Sequence, residues 1–251
     1  RIRLPAKLPQ ADHKDEIGSL AHSLQSIFSK ITRRNSYLEK ISDYLRHEMG
    51  NHLNTIRLKI ENIPDNSDLL NIKNHQKGIK RVLEQLNVTL DTFSNASAIE
   101  SALASRERRN INICSALQIW IDGYSDPDTL IHFESNEPEI WVEGASESLE
   151  SAIISLLANA KDFRDEGTSI EVKLDSNDGE AIIQIKNNGP PIPERKLTRI
   201  FEMGVSMRDQ NENLPSEHMG FGLFQAKYII ENHGGDISVT NLANRDGVEF
   251  S

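Results

Sequence analysis

Cysteine is nearly absent. Cys114 is the only one, which rules out a disulfide framework and fits a reducing compartment. No apolar run approaches the roughly 20 residues of a membrane span, and no signal peptide is visible. Positive charge is also short: the formal net charge of −10 argues against a nucleic-acid binder. An initiator methionine is missing too, because the chain starts at Arg1. The chain therefore reads as a fragment, and the lack of a span in it says nothing about the parent protein.

What is present is the composition of a soluble globular protein, 37% hydrophobic and 26% charged, over 251 residues. That length allows two domains and a sizeable core. Pro5 and Pro9 keep residues 1–10 from forming a regular helix. From Asp15 a long helical pattern begins. Ile17, Leu20, Leu24, Ile27, Ile31, Leu38, Ile41 and Leu45 follow steps of three and four, interrupted only by Arg34. Such a heptad seam wants a partner helix. Its next positions, Glu48 and His52, are polar, and the apolar stripe moves to Met49, Leu53, Ile56, Ile60 and Ile63. That is a stutter in the repeat, beside His47.

His47 lies two residues from both Leu45 and Met49, so it points away from the stripe into solvent. Glu48 adjoins it, and Asn51 sits one turn further over the same face. An imidazole beside a carboxylate is a nucleophile with its own proton acceptor. The segment by itself better fits an ordinary surface histidine on a long helix. A turn follows at residues 63–68, and then a second helix over 68–104 with Leu69, Ile72, Ile79, Leu83, Leu86, Leu90 and Phe93 on one face. Two antiparallel helices cannot bury both faces, so dimerisation into a four-helix bundle is expected. Arg106-Glu107-Arg108-Arg109 reads as a linker or a solvated charge run.

After Asn110 the pattern becomes mixed α/β. Strands are expected at 111–113, 130–134 and 140–142, a helix over 147–163, and a hairpin of strands 169–174 and 181–186 around Ser176-Asn177-Asp178-Gly179. Residues 190–219 are polar and Gly/Pro-punctuated, a candidate lid. A helix over 220–232 and strands at 237–240 and 248–250 complete the chain.

Three segments carry chemistry. Asn159, on a helix, offers a neutral hard-oxygen ligand suited to Mg²⁺, or else is a buried or capping asparagine. Asn187-Asn188-Gly189-Pro190 follows a strand; it can read the edge of a planar base, or is a plain strand-to-loop turn. Gly220-Phe221-Gly222-Leu223 opens a helix, where backbone N–H groups meet phosphates, although glycines often simply start helices.

In this order and spacing, the motifs resemble those of the cytoplasmic part of a bacterial sensor histidine kinase, over essentially the whole chain. Asp15-Glu16-Ile17-Gly18 resembles the end of a HAMP module, and the His47 helix resembles the phosphoacceptor box. Asn159 resembles the N-box asparagine, Asn187-Asn188-Gly189-Pro190 the first glycine box, Phe201 the F box, and Gly220-x-Gly222-Leu223 the second glycine box. The resemblance implies a dimeric helical hairpin (residues 36–106) after a HAMP end and signalling helix (1–35), then an α/β sandwich of the Bergerat (GHKL) type (107–251). It implies ATP and Mg²⁺ as cofactors, with Asn159 on the metal, Asn187 facing the adenine amino group, and Gly189 giving close approach. Gly220, Gly222 and Leu223 would line the phosphate side. Arg208 is either a phosphate-facing charge or a solvated arginine. His47 would take the γ-phosphoryl, Glu48 the proton, and Asn51 would orient a water that dephosphorylates a partner response regulator. The parent would be a homodimer held in a bacterial inner membrane by segments absent here, with this part cytoplasmic.

Departures from the family pattern are Asn187 for Asp, His218 for Gly, Ser155 and Asp162 for Asn and Lys, Gly50 for Arg, and His52 for Pro. The rival reading is a non-catalytic dimeric scaffold that binds nucleotide weakly. A chaperone-like ATPase is disfavoured, because no water-activating Glu stands at Ser155 and the helical hairpin would go unexplained.

Overall fold

The computed structural model describes residues 16–63, 69–104, 108–126, 128–205, 220–243 and 246–251. The expected turn at 64–68, together with Asp15, Arg106, Glu107, Arg208 and His218, lies outside the described residues. The chain divides into two units, Arg1–Arg46 and His47–Ser251.

In the first unit, helix α1 (Glu16–Glu61) begins as the heptad pattern predicts. Ile17, Leu20, Ile27 and Ile31 nevertheless stay 57%, 62%, 52% and 47% exposed. An apolar seam left in water is unfavourable by roughly 25 cal/mol per Å².

The second unit starts at His47, within α1, which continues unbroken through Gly50. Helix α2 (Leu69–Ala104) lies beside it: a side chain at Gly78 would begin 3.1 Å from the Nζ of Lys59. The face of α2 buried within the chain is Val82, Thr89 and Ala96, whereas Leu83, Leu90 and Phe93 remain exposed. Of the large residues read from the sequence as the apolar face, Ile72, Ile79 and Leu86 are half-buried and Leu83, Leu90 and Phe93 are left uncovered, while smaller residues a step away fill the covered side. Near its end, α2 sets Ile99 and Leu103 against the core of the α/β domain.

That domain opens with β1 (Arg109–Asn112) and α3 (Ile113–Tyr124). The expected strand through Ile113 stops one residue earlier, because the Asn112 side chain caps α3, accepting the Cys114 and Ser115 N–H groups. Ile113, Leu117, Trp120 and Ile121 give α3 a buried helical stripe that the sequence reading passed over. Next come β2 (Ile131–Ser135), β3 (Trp141–Gly144), α4 (Ser146–Phe163), β4 (Ile170–Asn177) and β5 (Glu180–Asn188). The last elements are α5 (Glu194–Leu197), α6 (Gly222–Asn232), β6 (Val239–Asn241) and β7 (Gly247–Phe250).

The described residues form a five-stranded sheet in the order β2-β4-β5-β7-β6, while β1 and β3 pair separately. β2 runs parallel to β4, and the other pairings are antiparallel. Asp178 and Gly179, with φ of 52° and 84°, make the two-residue turn between β4 and β5. Alternation along β4 sends Ile170, Val172 and Leu174 inward, against Ile153, Leu156, Leu157 and Ala160 of α4 and Ala226 and Ile229 of α6. The opposite face is polar, and there Glu249 receives Lys186 at 3.0 Å and Gln184 at 2.8 Å.

Candidate functional site

Two helices set the frame. Gln225 of α6 donates to the Ser151 hydroxyl of α4 at 3.1 Å. One turn along α4, a side chain on Gly222 would begin 3.6 Å from the Cβ of Ser155. As the α4 number rises the α6 number falls, so the helices are antiparallel, and the end of α4 adjoins the start of α6. Asn159 is the next residue in the row Ser151, Ser155, Asn159, so it lies about one turn past the first residue of α6. Among the described residues its half-buried amide has no hydrogen-bond partner.

Among the described residues no side chain caps the start of α6. Its N-cap Phe221 makes no side-chain cap bond, and the first helical bond onto Phe221 comes from Gln225. The intervening N–H groups carry the positive end of the helix dipole. The Leu223 side chain packs in the core, which leaves only its backbone N–H for a phosphate. Gly220 has φ of 67°, and a side chain there would begin 2.6 Å from the Val205 carbonyl oxygen. Gly204 also donates to the Gly220 carbonyl at 3.2 Å, so the chain on either side of residues 206–219 is held together. Arg208 falls in that stretch, outside the described residues. Phe201, which precedes that stretch in sequence, is anchored edge-on to Phe250 at 6.3 Å, with the Lys227 ammonium 5.5 Å from its ring centre.

The other wall is the end of β5. Asn187 is 2% exposed, paired in register with Ile170 and Val248. Its Nδ2 makes one long bond, 3.5 Å to the Asn188 carbonyl. Its Oδ1 accepts from no described residue. An amide oxygen without a donor, on a residue otherwise almost fully covered, can take one from a ligand. A side chain on Gly247 would begin 2.1 Å from the Asn187 carbonyl, so only glycine lets β7 run this close. A side chain on Gly189 would begin 2.0 Å from the Phe163 carbonyl. The close approach that Gly189 makes here is therefore to the end of α4, which ties the Asn187 and Asn159 segments together.

On α1, His47 and Asn51 are exposed and Glu48 is half-buried, as the helical phase predicts. Thr55 turns its hydroxyl back onto the Asn51 carbonyl at 2.8 Å, which leaves the Asn51 amide free of that contact.

Gly247 and His233 escaped the sequence reading. His233 ends α6; its Nδ1 donates to the Ile229 carbonyl at 2.8 Å, and its Nε2 accepts the Ala145 N–H at 3.0 Å. Burial, opposed by the Ile229 bond and aided by the nearby Arg108 charge, holds its pKa below the ordinary histidine value. At the far end of α4, Lys161 bonds to Asp126, which lowers the pKa of that carboxyl. No periodicity marks either residue; each answers to a partner distant in sequence.

Residues 144–251 match the family model described as histidine kinase-, DNA gyrase B-, and HSP90-like ATPase. The chain is 25% identical to the sensor protein ChvG of Rhizobium meliloti (strain 1021), over 94% of this chain and 43% of that protein. It is 25% identical to the sensor histidine kinase YvrG of Bacillus subtilis (strain 168), over 94% of this chain and 37% of that protein. It thus spans less than half the length of these relatives. A solved histidine kinase, AdeS of Acinetobacter baumannii, shares its fold with a TM-score of 0.52 at 15% identity, over 81% of this chain and 94% of that one.

Proposed function

We propose that this chain, a homologue of the bacterial sensor histidine kinases that carries a GHKL-type ATP-binding domain, phosphorylates its own His47 from ATP and passes the phosphoryl group to an aspartate of a response regulator. The observation that carries this reading is the amide of Asn159, without a hydrogen-bond partner among the described residues and set one turn past the first residue of α6, inside the stretch matched by the ATPase family.

Asn187 would present its unoccupied Oδ1 to the exocyclic amino group of adenine, and the backbone N–H groups of α6 would receive phosphate oxygens. Asn159 suits Mg²⁺ as a neutral oxygen donor; the ion, when bound, offsets the negative charge of the phosphates. An imidazole nitrogen of His47 attacks the γ-phosphorus, the bond to the bridging oxygen breaks, and ADP leaves. Glu48, half-buried and next to His47 in sequence, would take or orient the proton of the other ring nitrogen. The amide of Asn51, exposed one turn on, orients a water for hydrolysis of the phosphorylated regulator.

The working organisation is a HAMP end and signalling helix (1–35), a dimerisation and phosphoacceptor hairpin (36–106) and a catalytic ATP-binding domain (107–251). The uncovered seam of Ile17, Leu20, Ile27 and Ile31 supports a homodimer. Membrane attachment, with this part cytoplasmic, would come from segments outside this chain.

The test is incubation with γ-labelled ATP and Mg²⁺. Wild type should acquire acid-labile label, and Asn159→Ala should acquire it about a hundredfold more slowly, the typical cost of removing one group that stabilises transferring charge. Nucleotide binding without any label would instead favour the non-catalytic scaffold.

A further inference from the structure

On the basis of the nucleotide-site reading, we propose that Asn241 is a positioning residue for the purine end of that site. Between Gly189 and α5 the chain reads Pro190-Pro191-Ile192-Pro193. Proline has no N–H, so Ile192 carries the only backbone donor in this run. Asn241, at the end of β6, takes it: the Ile192 N–H donates to the Asn241 Oδ1 at 2.8 Å. The Asn241 Nδ2 in turn donates to the Ile192 carbonyl at 2.8 Å. The orientation of the amide is dictated, because the Ile192 nitrogen can only donate and its carbonyl can only accept. One side chain thus supplies both bonds that a neighbouring strand would have made.

The hold acts on a stiff segment. Proline rings fix φ, so fixing Ile192 fixes the course of the chain back toward Gly189. The other hydrogen-bonded ties on the stretch that follows Asn187 include the main-chain bonds from the Asp165 N–H to the Asn188 carbonyl at 2.8 Å and from the Gly189 N–H to the Asp246 carbonyl at 3.0 Å, beside the long 3.5 Å bond from the Asn187 Nδ2 to the Asn188 carbonyl. Among the described residues Asn241 is the one side-chain hydrogen-bonding hold on residues 189–193, and so the one there that a substitution can remove. Asn241 bonds to neither α4 nor the start of α6, which build the phosphate end. Loss of the Asn241 hold therefore acts first on the purine end.

The experiment is calorimetric titration of the whole chain with adenosine and with ATP, alongside amide exchange of residues 188–196. Asn241→Leu is nearly isosteric and removes both bonds. It should weaken adenosine and ATP by the same factor, about tenfold for two modest hydrogen bonds, and should speed amide exchange at Gly189 and Ile192. Asn241→Asp keeps the acceptor and should fall in between. Should Asn241→Leu not fold, Asn241→Asp decides alone. Wild-type adenosine affinity in the folded variant overturns the proposal, as does a loss confined to ATP. If the wild type binds neither ligand, the nucleotide-site reading itself has failed, an outcome distinct from equal binding by wild type and variant.

Discussion

His233 and Ala145, far apart in the chain, share one hydrogen bond, with the Ala145 N–H donated to the His233 Nε2 at 3.0 Å. Since Nδ1 donates to Ile229, the ring is the neutral Nδ1–H tautomer, with both nitrogens satisfied. The bond joins the end of α6 to the start of α4, whose N-cap Ala145 has no capping side chain of its own.

That bond gives the domain a pH dependence. The folded-state pKa of His233 lies below its ordinary value of 6.5, through burial first. As pH falls below about 6.5 the unfolded ring takes up a proton and the folded ring resists, so stability present above that pH is lost on going down through the folded pKa. Thermal unfolding followed from about pH 7.5 to about pH 5.5 should show a falling Tm in wild type. His233→Gln keeps an acceptor for Ala145 but does not titrate, and should show a shallower fall. Parallel curves would remove His233 from this role.

Two glycines should answer alanine substitution in opposite ways. Gly189→Ala drives a methyl to 2.0 Å from the Phe163 carbonyl and should destabilise the domain by about 3 kcal/mol in denaturant unfolding. Gly222→Ala places its methyl at an ordinary 3.6 Å from Ser155, so stability should change by less than about 1 kcal/mol. The same methyl stands at the start of α6, so ATP affinity should drop while adenosine affinity holds. Equal loss of both ligands would show that Gly222 does not face the phosphates.

The exposed seam of α1 predicts an assembly. Leu20 and Ile27 are 62% and 52% exposed at heptad spacing. Wild type should sediment as a dimer, and Leu20→Asp with Ile27→Asp should shift it toward monomer, because a desolvated carboxylate at a seam is strongly unfavourable. A wild-type monomer at every concentration would contradict the homodimer.

The parts of the fold legible in the sequence were those with strong local periodicity. The helix expected over 147–163 is Ser146–Phe163, and the Asp178-Gly179 turn sits inside its expected hairpin. α3 was missed because its stripe begins directly after a strand-like run, and the Asn112 cap that separates the two has the look of an ordinary polar residue. The covered face of α2 was read only in part: Ile72, Ile79 and Leu86 are half-buried on it, but Thr89 and Ala96 carry little hydrophobic signal, although their small size suits close helix packing. At the candidate site, Asn159, Asn187 and the glycines stood out by type and spacing. Gly247, His233 and Asn241 did not, since each is defined by a contact with a residue far away in the chain.

The central claim is that His47 receives the γ-phosphoryl group. Peptide mass spectrometry under alkaline conditions, after incubation of the chain with ATP and Mg²⁺, should place one phosphate on the His47 imidazole, arriving there about a hundredfold more slowly in Asn159→Ala. Phosphate on another side chain, or an unmodified His47 in protein that demonstrably binds ATP, would contradict the account.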